Sequence, residues 1–374
     1  MKVLRAYKTE LDLNNVQMTA CARHAGAARY AFNWGLARKK EAFANGEKTP
    51  SAIDLHRELN VLKKTELPWM YEVSKCAPQE SLHDLDRAFA NFFRRVKEKQ
   101  AGKNVAAGFP RFKSKKNGLG SFRLTGAIHV FEKSIQLPRL GKLRLKERGY
   151  LPVSGAHILS ALVSEKAGRW FVSVQVEMDI PEFRSADRPV AGVDLGIKRM
   201  AQVSDGMYFE NPRSLKSALI KLKRLQRVVS RRQKGSANRK KAVRQLARAH
   251  FRVANIRKDA LHKATTLLTR TKSVIVLENL NVSGMLKNHH LAQAIADVGM
   301  YEFRRQLIYK GAWYGCEVLL ADRFYPSTKR CSQCGQVKPV MTLGEREYQC
   351  EHCGFVIDRD LNAAINLEQL LYRS

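Results

Sequence analysis

Cys331-Ser332-Gln333-Cys334-Gly335, then Cys350-Glu351-His352-Cys353-Gly354, then Asp358-Arg359-Asp360-Leu361-Asn362-Ala363-Ala364: these three runs decide how the rest of the chain is read. Fifteen residues separate the inner cysteines, a spacing that fits a four-thiolate zinc site. Zinc takes four soft, deprotonated sulfurs in a tetrahedron, and Gly335 and Gly354 permit the tight turn that each cysteine pair needs. Four thiolates leave no position for water, so the predicted site is structural. It stands immediately ahead of two aspartates, and the upstream chain has to account for that.

The totals narrow the partners. With 374 residues, two or three domains are expected, and 67 Lys and Arg against 34 Asp and Glu leave a formal charge of +33. A compact protein with that imbalance is built to meet a polyanion, nucleic acid being the leading candidate and an anionic membrane surface the rival. No apolar run reaches the roughly 18 residues that a spanning helix needs, so no membrane partner is expected. Met1-Lys2-Val3-Leu4-Arg5 has no apolar region behind its charges, and a cytoplasmic location is expected. Cys21, Cys76 and Cys316 are scattered and read as reduced core residues.

Taken in order, residues 1–9 alternate as a strand, and a helix is predicted from Asn14 to about Gly46. A second helix is predicted from Ser51, with Asp54 as capping partner, and a third from about Pro78. In the third, Leu82, Leu85, Phe89, Phe92, Phe93 and Val96 recur at helical spacing and read as core. Short alternating runs between 122 and 177 then suggest a small barrel or sandwich that residues 1–9 could close. Pro181 to Pro189 reads as a linker. Val190–Val193 is a buried strand ending in Asp194, followed by a hairpin around Asp205-Gly206. Asp194 reads either as a metal ligand or as a turn residue. Residues 213–272 hold twenty Lys and Arg against one acid, Asp259, in two helices broken at 234–238. Ser273–Leu277 is a second buried strand ending in Glu278, a helix is predicted over about 290–313, and Glu317–Leu320 is a third strand.

Asp194, Glu278 and Asp358 or Asp360 each follow an apolar strand or open the last helix. Acids at strand ends converge in a mixed sheet though distant in sequence. Clustered carboxylates repel one another, so such a site is expected to hold hard cations that favour oxygen ligands. Two Mg²⁺ ions about 4 Å apart activate a water and steady the leaving oxygen of a phosphodiester, so phosphodiester hydrolysis is expected.

Asp194-Leu195-Gly196-Ile197-Lys198, Leu277-Glu278-Asn279-Leu280, Tyr325-Pro326-Ser327-Thr328-Lys329-Arg330-Cys331 and Asp360-Leu361-Asn362-Ala363-Ala364 resemble the RuvC and zinc motifs of the TnpB (OrfB) family, transposon-encoded RNA-guided nucleases related to type V CRISPR effectors. The resemblance spans about 190–370. It implies a multidomain α/β (α+β) chain with an RNase H-like (RuvC) nuclease core over 188–324 and 357–374, interrupted by a basic helical insertion at about 213–272. A zinc-ribbon lobe at 325–356, a wedge-like β-barrel at 1–10 and 106–185, and a helical recognition lobe at 11–105 complete the expected layout. It further implies a Mg²⁺-dependent DNA endonuclease, with Asp194, Glu278 and Asp360 as catalytic, magnesium-holding carboxylates. Cys331, Cys334, Cys350 and Cys353 are the implied zinc ligands. The implied partners are a guide RNA derived from the transposon end and target double-stranded DNA, cut beside a short protein-read motif. Two alternatives share the sequence features: a nuclease-silent RNA-guided regulator, and a guide-free structure-specific nuclease.

Overall fold

Alternation in the first run produces β1 (Lys2–Asp12), which turns Val3, Thr9 and Leu11 inward. The computed structural model describes residues 2–180, 187–342 and 344–372. The chain divides into two units, Met1–Asp179 and Ile180–Ser374.

In the first unit, α1 (Asn15–Ala44) opens on a capping box between Asn14 and Gln17, and α2 (Ala52–Thr65) opens on the predicted box between Ser51 and Asp54. A single 3₁₀ turn, Pro68–Glu72, precedes α3 (Cys76–Gln100). The helices pack tightly where Gly35 of α1 meets α3: a Cβ there would lie 2.8 Å from Leu82. Burial in α3 is confined to its first half, Ala77 to Leu85. Phe93 is 57% exposed, so the core role expected for it is not what the structure shows. Phe89 does pack against the helical core, but the apolar stripe outlasts the surface it packs on, and Phe92 and Phe93 gather with Phe89 and Phe109.

Six strands follow: β2 (Ser121–Leu124), β3 (His129–Phe131), β4 (Ser134–Leu137), β5 (Gly141–Leu145), β6 (Ala156–Lys166) and β7 (Arg169–Asp179). With β1 they form an antiparallel sheet in the order β2-β6-β7-β1-β5-β4-β3. β1 joins its two halves, pairing Lys2 to Glu10 with β7 and then Leu11 and Asp12 with β5. Side chains from both halves, among them Phe122, Leu137, Leu143 and Val174, fill one core. Among the described residues β2 and β3 share no ladder, so the barrel is open along that seam.

The linker expected at 181–189 lies outside the described residues from 181 to 186. The second unit is built on a mixed five-stranded sheet of β8 (Ala191–Asp194), β9 (Arg199–Val203), β10 (Tyr208–Glu210), β11 (Val274–Leu277) and β12 (Glu317–Leu320), in the order β10-β9-β8-β11-β12. β8, β11 and β12 run parallel, and β9 and β10 form the hairpin. Between β10 and β11 stand the basic helices α4 (Ser214–Arg231) and α5 (Ala237–Thr271). Between β11 and β12 come α6 (Val282–Met285), α7 (Ala292–Val298) and α8 (Met300–Tyr314). The single helix expected over 290–313 is broken at Gly299, whose φ of 77° ends one helix and starts the next. The small hairpin β13 (Glu347–Gln349) and β14 (Val356–Asp358) precedes α9 (Arg359–Gln369). Leu261 and Leu268 of α5 and Phe303 and Leu307 of α8 cover one face of the sheet, while Leu367 of α9 meets Val276 on the other. Among the described residues no helix is long and apolar enough to cross a membrane.

Candidate active site and zinc lobe

Register brings the first two acids together. Val193 of β8 is paired with Leu277 of the parallel strand β11, so the next residue on each strand, Asp194 and Glu278, emerges at the same sheet edge. α9 supplies the third by packing directly on β8. A Cβ at Gly192 would lie only 1.9 Å from the Ala364 carbonyl oxygen, so helix and strand touch backbone to backbone. Asp360, in the first turn of α9, thereby faces the same edge.

Asp194 is only 7% exposed. Burial first, then the like charges of Glu278 and Asp360, push its carboxyl well above the ordinary carboxylate range, with Arg359 pulling back. Glu278 is raised too, chiefly by burial and also by Asp360, while a hydrogen bond donated by Ser327 opposes the shift. Carboxylates held within reach of one another repel, which favours either a bound proton or a cation between them. Asp358 is spoken for: its side chain caps α9, accepting from the N–H groups of Asp360 at 3.0 Å and Leu361 at 3.1 Å. Asp360 instead accepts from the Arg359 guanidinium at 2.9 Å. Sequence reasoning missed both Ser327 and Arg359 as partners of the acids. They lie inside the quoted motifs, but nothing in residue type announces a contact that depends on the fold.

The four cysteines do assemble. Their sulfurs all lie within 4.8 Å of one another, with Cys331 to Cys353 at 3.7 Å and Cys334 to Cys350 at 3.6 Å. Four sulfurs about 2.3 Å from a tetrahedral zinc stand roughly 3.8 Å apart, so the donor set fits that ion. The two knuckles repeat each other: Gly335 N–H donates to the Cys331 carbonyl and Gly354 N–H to the Cys350 carbonyl, at φ of 79° and 73°. Backbone N–H groups of Cys353 and His352 favour the thiolate of Cys350, while at Cys334 and Cys353 the backbone N–H groups are outweighed by desolvation and the neighbouring sulfurs, which favour the thiol. Among the described residues no other His, Cys, Asp or Glu group is this tight, and the carboxylates stand wider. Asn362 and Asn366, both fully buried in α9, bind the zinc segment to the acid-bearing helix. Asn362 donates to the Arg330 carbonyl at 2.7 Å and accepts from Ser332 N–H at 3.0 Å, while Asn366 donates to the Ser327 carbonyl at 2.9 Å.

The basic insertion is anchored at one acid. Asp297 of α7 accepts from Ser214 Oγ and from the N–H groups of Leu215 and Lys216, and pairs with Arg257 of α5 at 2.9 Å. Lys221, Lys223, Arg224, Arg227 and Arg231 are exposed along α4, and Arg232 directly after it.

Acids at the strand ends of a mixed sheet with helices on both faces make up the kind of site at which α/β enzymes hold a ligand or cation. The sequence matches the family described as "Probable transposase" (OrfB_IS605) over residues 173–289, and the "Cas12f1-like, TNB domain" over 301–367. It also matches a "Helix-turn-helix domain" over 1–48, residues that here form β1 and the single long helix α1. A protein of Streptomyces pristinaespiralis named "Putative RNA-guided DNA endonuclease" is 37% identical, covering 98% of this chain and 89% of its own. InsQ of Escherichia coli K12, bearing the same description, is 35% identical over 98% of this chain and 92% of its own. The CRISPR-associated endodeoxyribonuclease Cas12f1 of Sulfoacidibacillus thermotolerans is 23% identical over 58% and 54%. The chain belongs to the TnpB (OrfB) family.

Proposed function

We propose that this protein is an RNA-guided DNA endonuclease of a transposon, hydrolysing guide-matched DNA beside a short protein-read motif. The observation that supports it most is the convergence of Asp194, Glu278 and Asp360 on one sheet edge, with Asp194 buried among like charges. Such acids fit hard divalent cations. Asp194, Glu278 and Asp360 would hold Mg²⁺, which when bound supplies an activated water and charge stabilisation for the leaving oxygen. Ser327 orients Glu278, and Arg359 holds Asp360. The four cysteines would hold a zinc whose role is structural, fixing the segment that Asn362 and Asn366 grip.

Names borne by the relatives supply the nucleic acids: a guide RNA, here assigned to the transposon end, and a target DNA duplex. Guided recognition leaves sequence reading to base pairing, so the protein needs mainly backbone contacts, and the exposed cations of α4 and α5 serve them. We assign strands β1 to β7 to a wedge role, α1 to α3 to guide and target recognition, and the second unit to cutting.

The test is strand scission. Protein loaded with its RNA should cut matched duplex in Mg²⁺, and Asp194→Ala should bind equally but leave the strands intact. Binding by the parent with no cutting in any divalent metal would leave a nuclease-silent regulator; cutting of branched DNA by RNA-free protein would leave a guide-free nuclease.

A further inference from the structure

A cleft of about 740 Å³ lies between α1 and the 3₁₀ turn Pro68–Glu72, entirely within the first unit. Arg23, Gly26, Tyr30 and Trp34 line it from α1 at helical spacing, and Trp69 lines it from the turn. Tyr30 and Trp69 stand edge to face, ring centroids 5.5 Å apart, and remain 38% and 40% exposed. Large rings left half in water around a concave, cationic surface are unusual unless something flat covers them.

The floor is open for a reason that packing does not supply. Gly26 sits inside a 30-residue helix, where glycine costs about 1 kcal/mol relative to alanine. Its φ is helical, and a Cβ there would meet no atom within 4 Å, unlike Gly35 of the same helix, which the Leu82 side chain requires. The absent side chain therefore leaves space over this turn of the helix, in the cleft that the two rings also line.

The walls are fixed. His24 bridges helix and turn: its Nδ1 donates to the Ala20 carbonyl at 2.8 Å, and its Nε2 accepts from Ser74 N–H at 2.9 Å. Arg29 donates to the Leu119 carbonyl at 3.0 Å. At the rim, Arg23 pairs with Glu72 at 2.8 Å, but both side chains are more than half exposed, so the pair is weak and exchangeable.

We propose that this cleft holds one unstacked nucleotide of a single strand, its base lying over Gly26 against Tyr30 and Trp69. Arg23 then turns to a phosphate, and Glu72 accepts from an exocyclic amino group of the base. The proposal rests on the reading of the chain as a nucleic-acid enzyme, and it adds a binding site remote in sequence from the carboxylates.

Full-length protein is irradiated with single-stranded RNA, and separately DNA, in which 5-iodocytosine, which keeps an exocyclic amino group, replaces one base at successive positions; adducts are mapped by mass spectrometry. The expected adduct is at Tyr30 or Trp69, and the better-binding strand identifies the source. Gly26→Leu fills the floor while favouring the helix, so its melting temperature should be no lower than the parent's. It should lose the adduct and about 5- to 150-fold in affinity, the equivalent of one stacked base. Adducts elsewhere, or unchanged affinity in Gly26→Leu, overturn the proposal; guided cutting retained by that variant then leaves the nuclease reading standing. Failure of the parent to bind either strand overturns both.

Discussion

Gly192→Ala perturbs the contact on which the carboxylate site depends. The added Cβ would lie 1.9 Å from the Ala364 carbonyl oxygen, 2.5 Å from the Glu368 nitrogen and 2.9 Å from Leu367 Cβ. Ordinary contacts run to about 3.5 Å, so α9 must retreat by roughly 1.5 Å. The obstacle is the peptide backbone of a helical turn, which has no rotamer to change. Overpacking costs about 1–3 kcal/mol, and this case belongs at the upper end, about 3 kcal/mol. For a unit of this size each kcal/mol moves the melting temperature by about 2–4 °C, giving a fall of about 6–12 °C. The same retreat carries Asp360 away from Asp194, and misplacement near 1 Å costs about 100-fold in rate. Calorimetry and guided cutting measure the two effects. Gly26→Ala, where the Cβ meets nothing, is the control and should be at least as stable as the parent. Parental melting and cutting in Gly192→Ala would refute the backbone contact between β8 and α9.

Zinc removal by a chelator, or Cys350→Ser, should release one zinc per chain, measured by elemental analysis, and abolish cutting even in excess Mg²⁺, because the grip of Asn362 and Asn366 has lost its partner segment. Lowering pH below about 6.5 should remove the stability contributed by the buried histidines, against an opposing gain from Asp194 and Glu278, whose raised carboxyls take up protons in the folded chain first. Burial holds His24 below its ordinary pKa, His56 likewise, and His262 down to about 4, so the unfolded chain takes up protons that the folded chain refuses. The histidine contribution is therefore complete above about 6.5 and is lost as pH falls towards 4, by at most about 1.4 kcal/mol per pH unit and histidine, and less for the half-buried rings. Denaturant titration across that range isolates it by comparing the parent with His262→Gln, whose stability should fall less steeply towards low pH; identical slopes would contradict it. Replacing Arg231, Arg232, Lys240 and Lys241 with Gln should flatten the salt dependence of nucleic-acid affinity by up to about four units of slope, read by titrating binding against salt.

Much of the second unit was legible because its signals are local. Cysteine pairs with a glycine behind each specify knuckles, and apolar runs ending in single acids specify strands with something to present. The cap at Ser51 and Asp54 was legible for the same reason. What was not legible depends on which element a side chain meets. Phe92 and Phe93 continue a core-like stripe past the end of the packing surface, and Gly299 breaks a helix whose periodicity runs on through it. Asp297 shows no signal in sequence, yet it closes the amino terminus of α4 from 83 residues away. The choice between Asp358 and Asp360 needed a resemblance; in the structure the first caps α9 and the second pairs with Arg359, contacts that no residue type announces.

The proposed function requires Asp194, Glu278 and Asp360 to form a single cation site, distinct from the four thiolates. Mn²⁺ uptake followed by electron paramagnetic resonance, on protein already holding zinc, tests it most directly. The parent should bind Mn²⁺ and Glu278→Gln should lose that binding while keeping its zinc; equal Mn²⁺ uptake by both would contradict the account.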